Sequence, residues 1–106
     1  MKDIGALMKQ AQAMQEKLQA AQAELARAEI DGAAGGDMVR LTLRGDGSLA
    51  RVTIDDSLLS PGEGEIVADL IIAAHADARR KLETKQTEMM RDVAGPLAGL
   101  PGMPKF

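Results

Sequence analysis

The chain has 106 residues, 45% of them hydrophobic, and thirteen Lys and Arg against sixteen Asp and Glu, for a net charge of -3. That length suits one domain with a modest core, and that apolar share excludes a disordered chain. With no cysteine, one histidine and Phe106 as the only aromatic, the chain excludes disulfides, thiolate nucleophiles, cysteine metal sites and base-stacking nucleic-acid platforms.

The first predicted element is a helix from Asp3 to Ala26. Ile4, Ala11, Leu18 and Leu25 fall seven apart, and Leu7, Met14 and Ala21 form a second set three residues behind them. That a/d spacing makes an apolar stripe that faces another helix. Gln10, Gln12, Gln15, Gln19 and Gln22 flank it, so its borders are polar but carry few charges. The N-terminal apolar residues are interrupted by Lys9 and glutamines, unlike a secretion signal. No apolar run nears the roughly 20 residues that cross a bilayer, and a cysteine-free chain suits the cytoplasm.

The period then changes from helical to alternating. Arg27 to Gly32 reads as a weak first strand with Ala28 and Ile30 inward, and Gly35-Gly36 turns the chain. Met38 to Arg44 places Val39, Leu41 and Leu43 on one face and Arg40, Thr42 and Arg44 on the other. Leu49 to Ile54 alternates likewise, with Ala50, Val52 and Ile54 inward, and Gly45-Asp46-Gly47-Ser48 joins the two strands as a hairpin. Ser60-Pro61-Gly62-Glu63 reads as a capping box with proline at the first helical position. A second helix follows from Glu63 to Val93, stopped by Gly95-Pro96. Residues 94–106 form a Gly/Pro-rich tail with no period.

The order is therefore α-β-β-β-α, an α+β fold with a small antiparallel sheet. A straight second helix of this length would run roughly 46 Å, against a radius of gyration near 13 Å for a compact domain of this size. Part of it must protrude. The first helix can lie antiparallel along it, with the start of helix 1 near the end of helix 2, as an arm. Three short strands leave open edges and bury little alone. A second copy would cover them, so a homodimer with two arms is expected.

Few residues offer chemistry. His75 lacks the partners for a metal site or a nucleophile constellation. Asp55-Asp56 are adjacent on a strand and point to opposite faces, so a turn or capping role fits them better than a catalytic pair. Gly32 and Gly35-Gly36 are not followed by Lys and Ser/Thr at P-loop spacing. Met8, Met14, Met89 and Met90 fit packing along the arm. No catalysis, cofactor, metal or small-molecule substrate is expected, and no membrane partner.

Positive charge is the remaining signal. Arg79, Arg80, Lys81, Lys85 and Arg91 face only Glu83 and Glu88 in their stretch, and Asp77–Lys81 can pair within the helix. Lys2, Lys9 and Lys17 share a side of helix 1, and antiparallel packing would bring Lys2 and Lys9 near Arg91. Acids gather instead around the strands, at Asp31, Asp37, Asp46, Asp55 and Asp56. Screening acts over about 8 Å at physiological salt, so a protruding arm can be locally basic on an acidic protein.

One further pattern is specific. Leu7-Met-Lys-Gln-Ala-Gln-Ala-Met-Gln-Glu-Lys-Leu-Gln19, Gln22-Ala-Glu-Leu-Ala26, Val52-Thr-Ile-Asp-Asp-Ser-Leu58, Asp69-Leu-Ile-Ile-Ala-Ala74, Asp77-Ala-Arg-Arg-Lys81 and Leu100-Pro-Gly-Met-Pro-Lys-Phe106 together resemble the YbaB/EbfC family of bacterial nucleoid-associated proteins. Asp56 departs from that pattern, where proline is usual, and Asp37 adds an acid beside the Gly-Gly turn. The resemblance implies one domain over residues 1–93, a tweezer-like dimer of intertwined sheets, and arms that contact double-stranded DNA in the nucleoid. It also implies roles in nucleoid organisation and gene regulation. Lys2, Lys9, Lys17, Arg79, Arg80, Lys85 and Arg91 are the candidate DNA contacts, mostly to phosphates. The competing reading is a protein-interaction scaffold whose arms clasp a partner without binding DNA.

Overall fold

The structure, a computed structural model, describes residues 3–95. Helix α1 spans Asp3–Arg27, strand β1 Glu29–Ala34, β2 Val39–Arg44 and β3 Leu49–Ile54. A single 3-10 turn covers Asp56–Leu58, and helix α2 runs Gly64–Ala94. The expected order holds. The first strand lies two residues later than its alternation suggested, because α1 stays helical through Arg27. The Ala28 N–H then donates to the Leu25 carbonyl as the chain turns. Ala94, expected in the tail, is the last residue of α2, and Gly95 caps it; the rest of the Gly/Pro-rich tail, residues 96–106, lies outside the described residues.

The three strands pair antiparallel in the order β1-β2-β3. Ile30 sits opposite Leu43, Gly32 opposite Leu41, and Ala34 opposite Val39. These side chains share the face that α2 covers. Val39, Leu41 and Leu43 are fully or almost fully buried, and so are Ala74, Ala78 and Leu82 of α2. The alanines let the helix approach closely. A methyl group at Gly32 would meet the Ala78 nitrogen at 2.6 Å and overlap the Ala74 carbonyl. Glycine is therefore required at this point of β1 by packing rather than by backbone angle. Gly45 does the same for α1, since a methyl group there would overlap the Leu25 carbonyl.

Ser60 does not cap α2. Pro61 and Gly62, the latter at φ 91°, form the centre of a turn closed by the Glu63 N–H on the Ser60 carbonyl. This is the sequence of a type II turn, with proline second and glycine third. The helix starts one residue later at Gly64, and Glu63 occupies its cap position without a side-chain hydrogen bond. Asp55 is the residue that caps. It is extended at φ -63°, ψ 138°, and its carboxylate accepts the Ser57 N–H at the start of the 3-10 turn.

The molecule measures 74 × 24 × 15 Å, with a radius of gyration of 20.2 Å. The expected arm is real. Leu70 lies against Gly35 at one end of the sheet and Arg79 against Gly47 at the other. So α2 crosses the sheet and leaves it at the β2–β3 hairpin, where α1 also arrives. Beyond that point the two helices run antiparallel.

Their offset differs from the expected one. A groove between them is lined by Lys17, Ala20, Ala21 and Glu24 of α1 and by Met89, Asp92 and Val93 of α2. The end of α2 therefore lies beside the middle of α1, not beside its start. Met14, Leu18, Ala21 and Leu25, the later heptad residues, are half-buried. Ile4 and Leu7, the earlier ones, are 53% and 62% exposed. The first ten or so residues of α1 overhang α2 by about 15 Å.

Candidate nucleic-acid interface

The structure divides the candidate basic residues into three groups. Arg79 and Arg80, with Lys81, sit at the root of the arm, where α2 still crosses the sheet. Arg80 and Lys81 both pair with Asp77, and Arg79 reaches Glu83 at 3.6 Å. Lys81 also donates to the Asp31 carbonyl of β1. Lys17, Lys85 and Arg91 lie on the paired part of the arm. Lys17 lines the inter-helix groove with Glu24 and Asp92, which tempers its charge. Lys9 stands on the overhang, exposed. Lys2 lies outside the described residues.

The convergence of Lys9 with Arg91 is thus replaced by one of Lys17 with the end of α2. The charge map changes with it. Along the arm, over residues 3–24 and 83–92, Lys9, Lys17, Lys85 and Arg91 stand against Asp3, Glu16, Glu24, Glu83, Glu88 and Asp92. Two-helix pairing mixes the signs, and four bases do not outweigh six acids. The overhang is the exception. Between Ile4 and Gln15 there is no acid, Lys9 is the only charge, and Gln10, Gln12 and Gln15 supply amide donors and acceptors. At 100° per residue, Lys9 and Gln12 fall on the side away from Leu7.

Asp77 is the structural tie that charge counting misses. Its side chain is only 19% exposed. It accepts the Ala33 N–H of edge strand β1 at 3.1 Å, as well as the cations of Arg80 and Lys81. The backbone N–H of Ala33, followed by the Lys81 ammonium, holds its carboxyl below the ordinary aspartate value. This bond covers one of the open donors of the β1 edge and ties α2 to the sheet. Its sequence signal is Asp77 four residues before Lys81, which shows the pair but not the strand beneath it.

The outer face of the sheet is a second polar surface. Asp31, Asp37, Arg40, Thr42, Arg51 and Lys81 line an open cleft of about 490 Å³. Thr42 donates to Asp31, and Arg51 pairs with Glu29 across β2. The Arg51 guanidinium lowers the Glu29 carboxyl from its ordinary value. Bases here are matched by acids. His75 is exposed on α2. Among the described residues, no three His, Cys, Asp or Glu side chains are placed to hold a metal ion, and no helix is long and apolar enough to cross a membrane.

Comparison with known proteins agrees with this geometry. The chain matches the YbaB/EbfC DNA-binding family over residues 1–97. It is 65% identical to a nucleoid-associated protein of Phenylobacterium zucineum, covering 100% of this chain and 99% of that one. It is also 65% identical to a nucleoid-associated protein of Caulobacter vibrioides, over 96% of this chain and 94% of that one. The fold matches the crystal structure of an uncharacterized Helicobacter pylori protein with a TM-score of 0.72. That match has 22% identity and covers 88% of this chain and 98% of the other. A sheet with an antiparallel two-helix arm, a family match over nearly the whole chain and close relatives of equal length lead to one conclusion: the chain belongs to the YbaB/EbfC DNA-binding family, a family of DNA-binding proteins rather than of enzymes.

Proposed function

We propose that this chain is a nucleoid-associated protein of the cytoplasm that binds double-stranded DNA through the arms of a homodimer. Phosphate contacts dominate, and the binding contributes to nucleoid organisation and gene regulation. The observation that carries the arm assignment is the α1 overhang. It is exposed, free of acids from Ile4 to Gln15, and bears Lys9 and three glutamines. A narrow rod of this kind reaches a duplex while the acidic turns of the sheet end stay beyond the screening length. Lys17, Lys85 and Arg91 add positive charge along the same arm, and Lys2 precedes its first described residue in the sequence. Arg79 and Arg80, engaged by Glu83 and Asp77, contribute less.

The homodimer is inferred from what one chain leaves uncovered. Strands β1 and β3 are both open edges. Leu49, Leu59, Ile66 and Ile72 are each at least half exposed, and Val52 is 39% exposed although its neighbours face α2. A second copy on the sheet end hides such surface and doubles the number of overhangs.

Titration of random and defined duplexes at two salt concentrations tests the reading. Binding should be weak, about 10⁻⁴–10⁻⁶ M at physiological salt, and should fall steeply as salt rises. The mixed charge of the arm favours the rival reading, a scaffold that clasps a partner protein. Affinity that is absent at low salt would select that rival. Sedimentation at micromolar concentration should give twice the chain mass, and a folded single chain would refute the dimer.

A further inference from the structure

We propose that the C-terminal segment Leu97–Phe106 covers the apolar side of the α1 overhang within the same chain. The need for a cover comes from α1 itself. Ile4, Leu7 and Met8 are 53%, 62% and 64% exposed, on a helix with no buried residue. The heptad that the second helix covers from Met14 onward simply continues past the end of α2. The overhang extends a helix that is already nucleated, but without tertiary packing its turns add little stability in water, so a covering segment would steady it.

Three observations select the tail. The first is position. Val93 lines the groove opposite Lys17–Glu24, so α2 ends beside the first uncovered turn of α1 with its axis pointing along the overhang. The second is reach. Eleven residues at about 3.3 Å each can extend roughly 36 Å, more than twice the 15 Å or so of overhang. The third is composition. On a helix or strand template the tail is aperiodic, but Leu97, Leu100, Met103 and Phe106 fall three apart, and Lys105 is the only charged side chain among residues 96–106. Prolines at 96, 101 and 104 reduce the freedom lost on docking.

Size decides between the tail and a second copy. Three large side chains on each of two helices make a contact well below the roughly 1,200 Å² of a stable interface between separate molecules. A tethered segment needs far less, because the linkage gives it an effective concentration of about millimolar. The apolar side of α1 is then closed, and the side carrying Lys9 stays open.

The absence of cysteine makes a cross-linking test clean. Leu7→Cys with Leu100→Cys, in the full chain under mild oxidation, should form an intramolecular disulfide with single-chain mobility on a denaturing gel. Its rate should be at least tenfold that of Ile72→Cys with Leu100→Cys, a pair whose first member lies over the sheet. A double-mass product would assign the cover to a second copy and overturn the proposal. Linkage no faster than the control would overturn it as well. Should the cysteines disturb the arm, hydrogen exchange gives an independent answer. Leu97→Ser with Leu100→Ser should speed exchange of the α1 amides 8–13 at least tenfold and leave 17–24 unchanged. Equal exchange in the parent and this variant would refute the proposal.

Discussion

The sheet end and the arm are built from the same aliphatic residues but by opposite means. At the sheet end, Val39, Leu41, Leu43, Ala74, Ala78 and Leu82 are buried together, and two glycines let the backbones touch. On the arm, α1 buries no residue completely and meets α2 through four half-buried side chains. Val93 of α2 is the one buried apolar side chain among the described residues of the arm beyond Leu82. Stability is concentrated at the sheet end, and reach is obtained where burial is sparse. This separation lets the arm change its surface chemistry at little cost to folding. It also predicts that mutations will sort by location.

The largest effect should come from testing that sorting directly. Leu82 is 1% exposed and joins α2 to the sheet at the root of the arm. Leu82→Ala should cost about 2–5 kcal/mol, a large share of the total of about 5–15 kcal/mol usual for a domain. Leu7→Ala, an equal truncation on the overhang, should cost about 1 kcal/mol or less, since opening the first turns of α1 leaves the core intact. Urea unfolding of the two variants at equal protein concentration measures both. Equal losses would show that the arm is part of the core.

The second test concerns binding. Lys9→Glu with Arg91→Glu should abolish a gel shift while circular dichroism and sedimentation stay unchanged. Arg40→Glu with Arg44→Glu alters the outer face of the sheet by the same charge and should weaken binding much less. Each lost phosphate contact should also lower the salt slope by about 1. Binding that survives the arm pair and fails in the sheet pair would move the interface to the cleft around Arg40.

Much of this contrast was legible in the residues. The alternation of Val39, Leu41 and Leu43 against Arg40 and Arg44 identifies the central strand because one face is covered. The arm follows from helix length alone. What was not legible is the offset of the helices. The heptad runs unbroken to Ile4, since periodicity reports which side is apolar and not what covers it, and only the packed structure shows α2 ending near Met14. The position of Arg79, Arg80 and Lys81 was hidden for a related reason. Their charges add along the sequence, but Asp77 turns beneath β1 and takes two of them. Ser60 and Glu63 have the spacing of a capping box, yet Pro61-Gly62 between them prefers a turn.

Asp77 allows a smaller and more specific test of the sheet end. Its carboxyl is held below the ordinary value by the Ala33 N–H and by Lys81. The stability it confers is therefore complete above the unfolded aspartate value of about 3.9 and is lost as pH falls through the lower folded value. Asp77→Asn should be less stable than the parent at neutral pH, with the gap closing in acid. Glu29, Asp46 and Asp55 are also lowered, by Arg51, Ser48 and Ser57 respectively, so both proteins will weaken together. Only the difference between their urea midpoints, from about pH 5 to about pH 2.5, belongs to Asp77. A constant difference would show that the carboxylate does not tie α2 to β1 through its charge.

The smallest effect should be a gain. Asp56 opens the 3-10 turn after β3, at the position where the family resemblance leads one to expect proline. The residue before it, Asp55, is already extended at ψ 138°, as a residue preceding proline must be. The bonds of this turn use the N–H groups of Asp55, Ser57, Leu58 and Leu59 as donors, so the loss of a donor at position 56 breaks none of them. Proline is also favoured at the first position of a helical turn. Asp56→Pro should thus stabilise the protein by about 0.4–1 kcal/mol, chiefly by restricting the unfolded chain. Because the site is on the sheet end, DNA affinity at fixed salt should stay the same. Thermal unfolding and a duplex titration on the same preparation test both halves. A loss of stability would show that the turn is strained against proline. A change in affinity without one would mean that the sheet end and the arm are coupled.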